Sequence, residues 1–209
     1  ELNFYGITDN SPEGVIGALE ILASKRTKRT HDDLQRTLFT ASEVLLEQRE
    51  FIKSIKFSFE ATDADYAGHT YVDQEGTPTI VINTARDSRG GIIDTLIHEL
   101  VHAFTDRILN LDPSLRTPEQ TGAVDRIEAL MKLLRKRAAR EGAPDSVLYG
   151  LTNINEFASV LMTSKDFQAF ISGIKVGAGQ RNFLTRALAA ISRFFAVRGG
   201  AQAQKFQAI

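Results

Sequence analysis

The sequence predicts an α+β protein with a small, mostly antiparallel sheet and a helical C-terminal half. Apolar residues recur at helical spacing before residue 50, alternate with polar ones between 54 and 83, and return to helical spacing from 92 onward. We expect a single domain over 1–209. Its parts are a helical segment (1–50), a segment with the sheet and one buried helix (51–110), and a helical remainder (111–209).

Two helices are expected in the N-terminal quarter of the chain. Ser11 is placed to cap the first helix, and Pro12 stands at its first helical position. The second helix is predicted to begin near Thr30 and to end around Arg49. His31, in its first turn, is expected to be a solvated residue and no ligand.

Three short strands are expected next. Apolar and polar residues alternate over 54–60, which predicts a half-buried strand, and shorter strands are expected at 69–73 and 79–83. Turns rich in Gly, Pro and Asp separate them. His69 is expected to be a polar strand position in preference to a functional residue of a cleft.

One mostly buried helix follows the strands. Apolar residues trace a wide stripe along it, formed by Ile92, Ile93, Leu96, Ile97, Leu100, Val101 and Phe104. The helix is predicted to stop near Asn110, since Pro113 forbids its continuation. Polar side chains on such a helix need partners, because an unpaired polar group is costly to bury.

The rest of the chain is predicted to be helical. Residues 117–141 open with a capping Thr, a Pro at the first helical position and a Gln three residues after the cap, which predicts a long helix. Asn153 or Asn155 can cap a second helix and Ser164 a third. A last amphipathic helix is expected over 181–197.

The composition excludes several classes of function. A net charge of -1 gives no general attraction for nucleic acid or anionic membranes. The long helix carries basic residues at Lys132, Arg135, Lys136, Arg137 and Arg140. They could contact phosphate or an acidic partner, but a solvated face is favoured because no aromatic residues are interleaved. The chain has no Cys, which excludes disulfides, thiolate metal sites and a cysteine nucleophile.

The location of the protein is constrained only weakly. No apolar run approaches the roughly 20 residues that a membrane-spanning helix needs, and no signal peptide opens the sequence. We expect a cytoplasmic or virion-associated protein with no membrane partner. Glu1 in place of an initiator Met leaves open a longer precursor or a larger polypeptide.

The buried helix carries the arrangement H-E-x-x-H, formed by His98, Glu99 and His102. Residues i and i+4 of a helix lie about 40° apart around the axis and roughly 6 Å apart along it, so both imidazoles can bind one metal ion. Glu99 lies about 100° round from His98, near enough to deprotonate a metal-bound water. The alternative is that both His are ordinary polar positions on a surface helix.

A catalytic zinc site needs a third protein ligand, and in a chain without Cys any zinc must be held by His and carboxylate. Glu156 stands out among the later carboxylates because it opens a helix of largely apolar neighbours. Its alternative role is a favourable interaction with the helix dipole. Asp106, one turn beyond His102, is better placed to accept a hydrogen bond from an imidazole than to reach the metal.

Two short segments resemble a known family. Residues 98–106, HELVHAFTD, resemble the active-site helix of thermolysin-type zinc metallopeptidases. Residues 154–156, Ile-Asn-Glu, resemble the segment with which these gluzincins supply their third ligand. The resemblance implies a zincin-like fold and one zinc ion with three ligands, His98, His102 and Glu156. It also implies that Glu99 is the general base and that Asp106 and Asn155 support the ligands.

The chain departs from thermolysin in two respects. The stretch between His102 and Glu156 is much longer, and Val160 stands where the family has an aspartate that supports the first His ring. The layout is nearer to lethal-factor-like toxin peptidases and to zincin domains of phage and mobile-element polyproteins. The strand at 79–83 resembles the edge strand that gluzincins pair with an extended substrate.

One further residue is implicated by this resemblance. In the lethal-factor type a tyrosine precedes the glutamate by seven residues, and Tyr149 matches that offset. It would donate a hydrogen bond to the developing oxyanion, provided that the chain bends over 150–153. A packed tyrosine is the alternative.

The sequence thus predicts a gluzincin-type zinc metalloendopeptidase that cleaves a peptide or protein substrate. Glu99 would take a proton from the metal-bound water and pass it to the leaving amine. The competing hypothesis is a structural or docking domain of a larger viral or mobile-element protein that hydrolyses nothing. The presence of Glu99 counts against this hypothesis, because metal binding alone needs no base. The presence of Val160 in place of the supporting aspartate favours it. A third hypothesis is a nucleic-acid-binding module. Its binding of nucleic acid would weaken steeply with salt and would not change when a chelator is added.

Overall fold

The computed structural model of the chain describes residues 7, 9–24, 33–86, 91–110, 112–174 and 183–195. Within these ranges the protein is mixed α and β, mostly helical, with a three-stranded sheet. Its chain divides into two compact units, residues 1–104 and 105–209. Among the described helices, none combines the length and the apolar character that crossing a membrane requires.

The first unit opens with three helices, α1 (Pro12–Ser24), α2 (Asp33–Leu46) and α3 (Arg49–Ile52). The predicted cap of α1 is confirmed, since the Ser11 hydroxyl accepts a hydrogen bond from the main-chain N–H of Gly14 at 3.1 Å. α1 packs against α2 and α3 through its apolar residues. The predicted start of the second helix near Thr30, and His31 with it, lie outside the described residues.

The sheet contains β1 (Lys56–Glu60), β2 (Gly68–Val72) and β3 (Pro78–Asn83) in the order β1-β3-β2. β2 and β3 form an antiparallel hairpin, whereas β1 runs parallel to β3. The prediction of a mostly antiparallel sheet is therefore wrong, because one of the two strand pairs is parallel. The physical reason is that β3 enters between the two earlier strands instead of adding at the edge beyond β2.

β3 takes the central position because it is the most apolar of the strands. Every residue from Thr79 to Asn83 is buried, and the run Ile80, Val81, Ile82 presents apolar side chains to both faces of the sheet. The expectation that this segment is an edge strand is wrong. β2, with its exposed Tyr71 and Val72, is an edge strand of the described sheet.

A long helix, α4 (Gly91–Leu109), follows the sheet and stops where the sequence predicted. Its predicted apolar stripe is buried at Ile93, Leu96, Ile97, Leu100, Val101 and Phe104. The ring of Phe104 meets that of Phe51 edge-on, with 5.8 Å between ring centroids. α4 is therefore anchored by its apolar face, which fixes the direction of its polar side chains.

After α4 the second unit contains a short 3₁₀ helix (Pro113–Leu115) and five described α-helices: α5 (Pro118–Glu141), α6 (Asp145–Tyr149), α7 (Ile154–Thr163), α8 (Lys165–Ser172) and α9 (Phe183–Phe195). α5 packs against α7 and α9, and α8 packs against α6, α7 and α9. The short α6 was not predicted. The predicted ends of the last helix, at 181 and 197, lie outside the described residues.

Local signals set the ends of α5. Thr117 and Gln120 form the predicted capping box, in which each side chain accepts a hydrogen bond from the other residue's main-chain N–H. Gly142 ends the helix with φ 64, in the left-handed conformation that Gly adopts without strain. Both ends lie where the sequence predicted them.

Candidate metal centre

His98 and His102 lie one turn apart on α4 and project to the same side. Their Nε2 atoms are 3.1 Å apart, and both residues are partly buried. Two nitrogens bound to one tetrahedral zinc ion, each about 2.0–2.1 Å from it, lie roughly 3.3 Å apart. The spacing of the two rings therefore fits a shared metal ion.

Glu156 lies in the first turn of α7. Asn153 is the N-cap of this helix, and its side chain accepts a hydrogen bond from the main-chain N–H of Glu156 at 2.9 Å. One carboxylate oxygen of Glu156, Oε2, is shielded from solvent. A ring nitrogen of His98, a ring nitrogen of His102 and a carboxylate oxygen of Glu156 all lie within 4.8 Å of one another. These three residues form a group that can hold a metal ion.

Glu99, the residue between the two His, is buried, with 7% of its surface exposed. The hydroxyl of Thr70 in β2 donates a hydrogen bond to Glu99 Oε2 at 2.8 Å, and it lies 3.2 Å from the main-chain oxygen of Glu99. The carboxylate thus has a polar partner on the edge strand, as a buried carboxylate requires.

β2 approaches α4 closely because Gly68 has no side chain. A Cβ at this position would lie 2.7 Å from Cγ2 of Thr95 and 3.0 Å from Cγ of Glu99. Gly68 and Thr70 are two residues apart, so they face the same side of the strand. Together they bring the edge strand against the helix at the level of Glu99.

Asp106 and Asn155, the two residues expected to support the ligands, are joined directly. The side-chain amide of Asn155 donates a hydrogen bond to Oδ1 of Asp106. Asn155 immediately precedes Glu156, so this bond ties the start of α7 to the last turns of α4 within the second unit. Their role in supporting metal ligands stays a prediction.

Tyr149 is the last residue of α6, and a turn over 150–153 separates it from α7. The bend required by the sequence argument is therefore present. Half of the surface of Tyr149 is exposed (50%). Its catalytic role stays a prediction.

Val160, where the sequence resemblance would place an aspartate, packs against the turn before α7. Val160 is buried, with 5% exposure, and a Cβ on Gly150 would lie 2.9 Å from Val160 Cγ1. The position that would carry a supporting carboxylate in the family pattern is thus used for packing against the turn before α7.

The basic residues of α5 are not all a solvated face. Arg135 donates hydrogen bonds from Nε to the main-chain oxygen of Leu151, at 2.7 Å, and from Nη2 to that of Thr152, at 3.0 Å. Arg137 pairs with Glu141 one turn on, at 2.8 Å. Arg135 therefore anchors the turn that leads into the Glu156 helix, a contact that the charge pattern alone did not reveal.

His69 is a strand residue, as expected. Its ring stacks on Tyr71, with 5.5 Å between ring centroids, and meets Tyr66 edge-on at 4.6 Å. Within the described ranges the group able to hold a metal consists of His98, His102 and Glu156, without His69.

The chain matches no protein-family model, no curated protein and no solved structure.

Thr70 and Gly68 were missed by the sequence reasoning. A Gly and a Thr two residues apart in a short strand have no pattern of their own that points to a distant glutamate. The one available signal was that Gly68 interrupts a strand-like segment, which indicates a close approach of another element.

Proposed function

We propose that this chain is a zinc metalloendopeptidase of the gluzincin type with a zincin-like fold. The observation that carries the proposal is the convergence of His98, His102 and Glu156, whose ligand atoms lie within 4.8 Å of one another. Glu99, adjacent in sequence to the first of these ligands, is a buried carboxylate of the kind a general base requires.

The donor set fits a catalytic zinc ion better than a calcium or magnesium ion. Two imidazole nitrogens and one carboxylate oxygen are the ligands of many catalytic zinc sites, which keep a fourth position for water or substrate. Calcium and magnesium prefer sets made of oxygen ligands. When bound, zinc would polarise the scissile carbonyl and lower the pKa of water.

Glu99 and Tyr149 have separate roles in this proposal. Glu99 accepts a proton from the attacking water and passes it to the leaving amine, which completes peptide-bond hydrolysis without a covalent intermediate. The phenol of Tyr149 donates a hydrogen bond to the oxyanion that forms from the carbonyl. Its exposure of 50% leaves the side chain accessible to a substrate.

The outer edge of β2 supports a peptide as the substrate. The main-chain N–H of Asn83 donates to the oxygen of Ala67, and the antiparallel register then directs the backbone groups of His69 and Tyr71 toward β3. The backbone groups of Gly68, Thr70 and Val72 face away from β3, where no strand of the described part of the chain pairs with them. Such an edge can pair with any extended peptide.

A second candidate function is a metal-binding docking domain without hydrolytic activity. The observation that favours it is the buried Val160, which occupies the place of a carboxylate that would support a ligand ring. The two candidates differ in one measurable property, the cleavage of peptides by the zinc-loaded protein.

The test combines metal analysis with a peptide-cleavage assay on a library of unstructured peptides. We expect one zinc per chain, and cleavage that a chelator abolishes. Glu99→Gln should retain zinc but lower kcat by about 10²- to 10⁴-fold, the range for loss of a general base. Glu156→Ala should lose the metal, whereas Glu128→Ala, at an exposed position of α5, should change neither. Bound zinc with no cleavage by the unmutated protein would favour the docking domain.

A further inference from the structure

We propose that Thr70 is a positioning residue that fixes the carboxylate of Glu99 in the orientation in which it accepts the proton. The inference rests on the proposed function, and it concerns a residue outside the H-E-x-x-H segment. Its basis is the hydrogen bond from Thr70 Oγ1 to Glu99 Oε2, 2.8 Å long, between the edge strand and the helix.

The hydroxyl of Thr70 has little freedom to move. A β-branched side chain is stiff at χ1, and Thr70 lies opposite the buried Ile80 of the central strand, between His69 and Tyr71, whose backbone groups face β3. Two residues earlier, Gly68 rests against Thr95 and Glu99 with no room for a side chain. The strand is therefore held against the helix two residues before the hydrogen bond.

This contact gives the two carboxylate oxygens of Glu99 different roles: one accepts the hydrogen bond from Thr70, and the other accepts the proton from water. A glutamate has three rotatable side-chain bonds, and a buried carboxylate without a donor would turn toward whatever polar group it can reach. Thr70 occupies Oε2, and in the described part of the chain it is the side chain that hydrogen-bonds to this carboxylate. The other oxygen, Oε1, is left to take the proton from water.

Thr70 also links the base to the strand edge. Its own backbone N–H and C=O face away from β3, toward the side on which a peptide would pair. The strand segment from Gly68 to Thr70 would thus contact both the backbone of a bound peptide and the general base, Glu99. The orientation of Glu99 is set by the same segment that would align the peptide.

Three variants test the proposal. Thr70→Val keeps the shape and the strand preference of the side chain but removes the hydroxyl, whereas Thr70→Ser restores a hydroxyl. Thr79→Val is the matched control, because Thr79 lies in β3 opposite Tyr71 and therefore on the other face of the sheet from Thr70. Each variant is measured for zinc content, for kcat and KM on a cleaved peptide, and for the position of the Glu99 carboxylate in a crystal structure.

We expect Thr70→Val to bind one zinc per chain, to keep KM within about threefold, and to lose about 10- to 100-fold in kcat, the usual cost of removing a supporting hydrogen bond. Thr70→Ser should recover most of kcat, and Thr79→Val should behave as the unmutated protein. In crystals, the carboxylate should leave its position in Thr70→Val and keep it in Thr70→Ser.

Two results would overturn the inference: an unmoved carboxylate in Thr70→Val, or an unchanged kcat in that variant when the unmutated protein cleaves peptides. Absence of cleavage by the zinc-loaded unmutated protein is a different result, since it rejects the proposed function. The crystal structures still decide in that case whether Thr70 fixes the carboxylate.

Discussion

The side-chain amide of Asn83 donates a hydrogen bond to the main-chain oxygen of Tyr66, 3.1 Å away. The same amide nitrogen lies 2.9 Å from the oxygen of Thr62 and 3.3 Å from that of Ala64. Asn83 Oδ1 accepts hydrogen bonds from the main-chain N–H groups of Thr62 and Ala85. One buried side chain at the end of β3 therefore holds the loop that leads into β2.

Asn83→Ala should destabilise the protein by about 2–4 kcal/mol, because several loop backbone groups lose their partner at a site that is 1% exposed. Urea denaturation followed by circular dichroism measures the change. Gln74→Ala, an amide truncation at an exposed turn position, should change the unfolding free energy by less than about 0.5 kcal/mol. A similar small effect for Asn83→Ala would show that the loop does not depend on this side chain.

Gly68→Ala should cost about 1–3 kcal/mol, since the added methyl group would lie 2.7 Å from Thr95 Cγ2 and force the strand from the helix. Thr95→Ser removes that methyl group and should restore part of the lost stability in the double variant. Gly17→Ala is the control, because nothing lies within 4 Å of its Cβ position in α1. It should be neutral or stabilising by up to about 1 kcal/mol. If the changes in unfolding free energy caused by Gly68→Ala and Thr95→Ser simply add in the double variant, the two residues are not in contact.

The pH dependence of stability should contain a contribution from Asp73. The Lys56 ammonium, 2.6 Å from Asp73 Oδ2, holds the pKa of this carboxyl below its ordinary value of 3.8, with help from the main-chain N–H groups of Thr77 and Glu75. A group whose pKa is lowered by folding stabilises the protein above its ordinary pKa and loses that contribution as the pH falls through the lowered value.

Asp73→Asn should therefore be less stable than the unmutated protein near neutral pH, and the difference should shrink as the pH falls below about 4. Thermal unfolding at a series of pH values measures it. Asp63→Asn, at an exposed loop position, serves as the control. A difference for Asp73→Asn that stays constant down to pH 2 would mean that the carboxylate charge contributes nothing.

Asn155→Ala should lower zinc affinity by about 10- to 100-fold, because Asp106 loses its hydrogen-bond partner and the start of α7 loses a tether. Competition with a chromophoric chelator measures the affinity. Asn110→Ala, at the exposed residue after α4, should leave it unchanged. Equal zinc affinity of the Asn155→Ala and unmutated proteins would show that Asn155 does not support the metal ligands.

The helix ends could be predicted because their signals are local. Thr117, Asn153 and Ser164 each accept a hydrogen bond from an N–H group three residues on, so the sequence around each residue contains the whole interaction. The strand order could not be predicted in this way, since it depends on pairing between distant residues. The uninterrupted apolar run from Ile80 to Ile82 was nevertheless a signal for a central strand.

The candidate site, like the fold, was predictable where its signals are local and not where they depend on distant residues. The His pair follows from helix geometry, and Glu156 was singled out because it opens a helix of apolar neighbours. Thr70 was not predictable, because its partner Glu99 lies 29 residues later and a Thr in a strand shows no pattern for such a contact. Contacts of this kind become visible only when strand and helix are seen together.

The close approach at Gly68 gives the protein a sequence signature that is longer than H-E-x-x-H. A Gly and a Thr two residues apart precede the motif, with His98 standing 28 positions after Thr70. Distant relatives that share the contact should keep the Gly and the Thr two residues apart, even where the rest of the sequence has diverged. Chains that have the His pair but a bulky residue in place of Gly68 would have to hold their glutamate by other means.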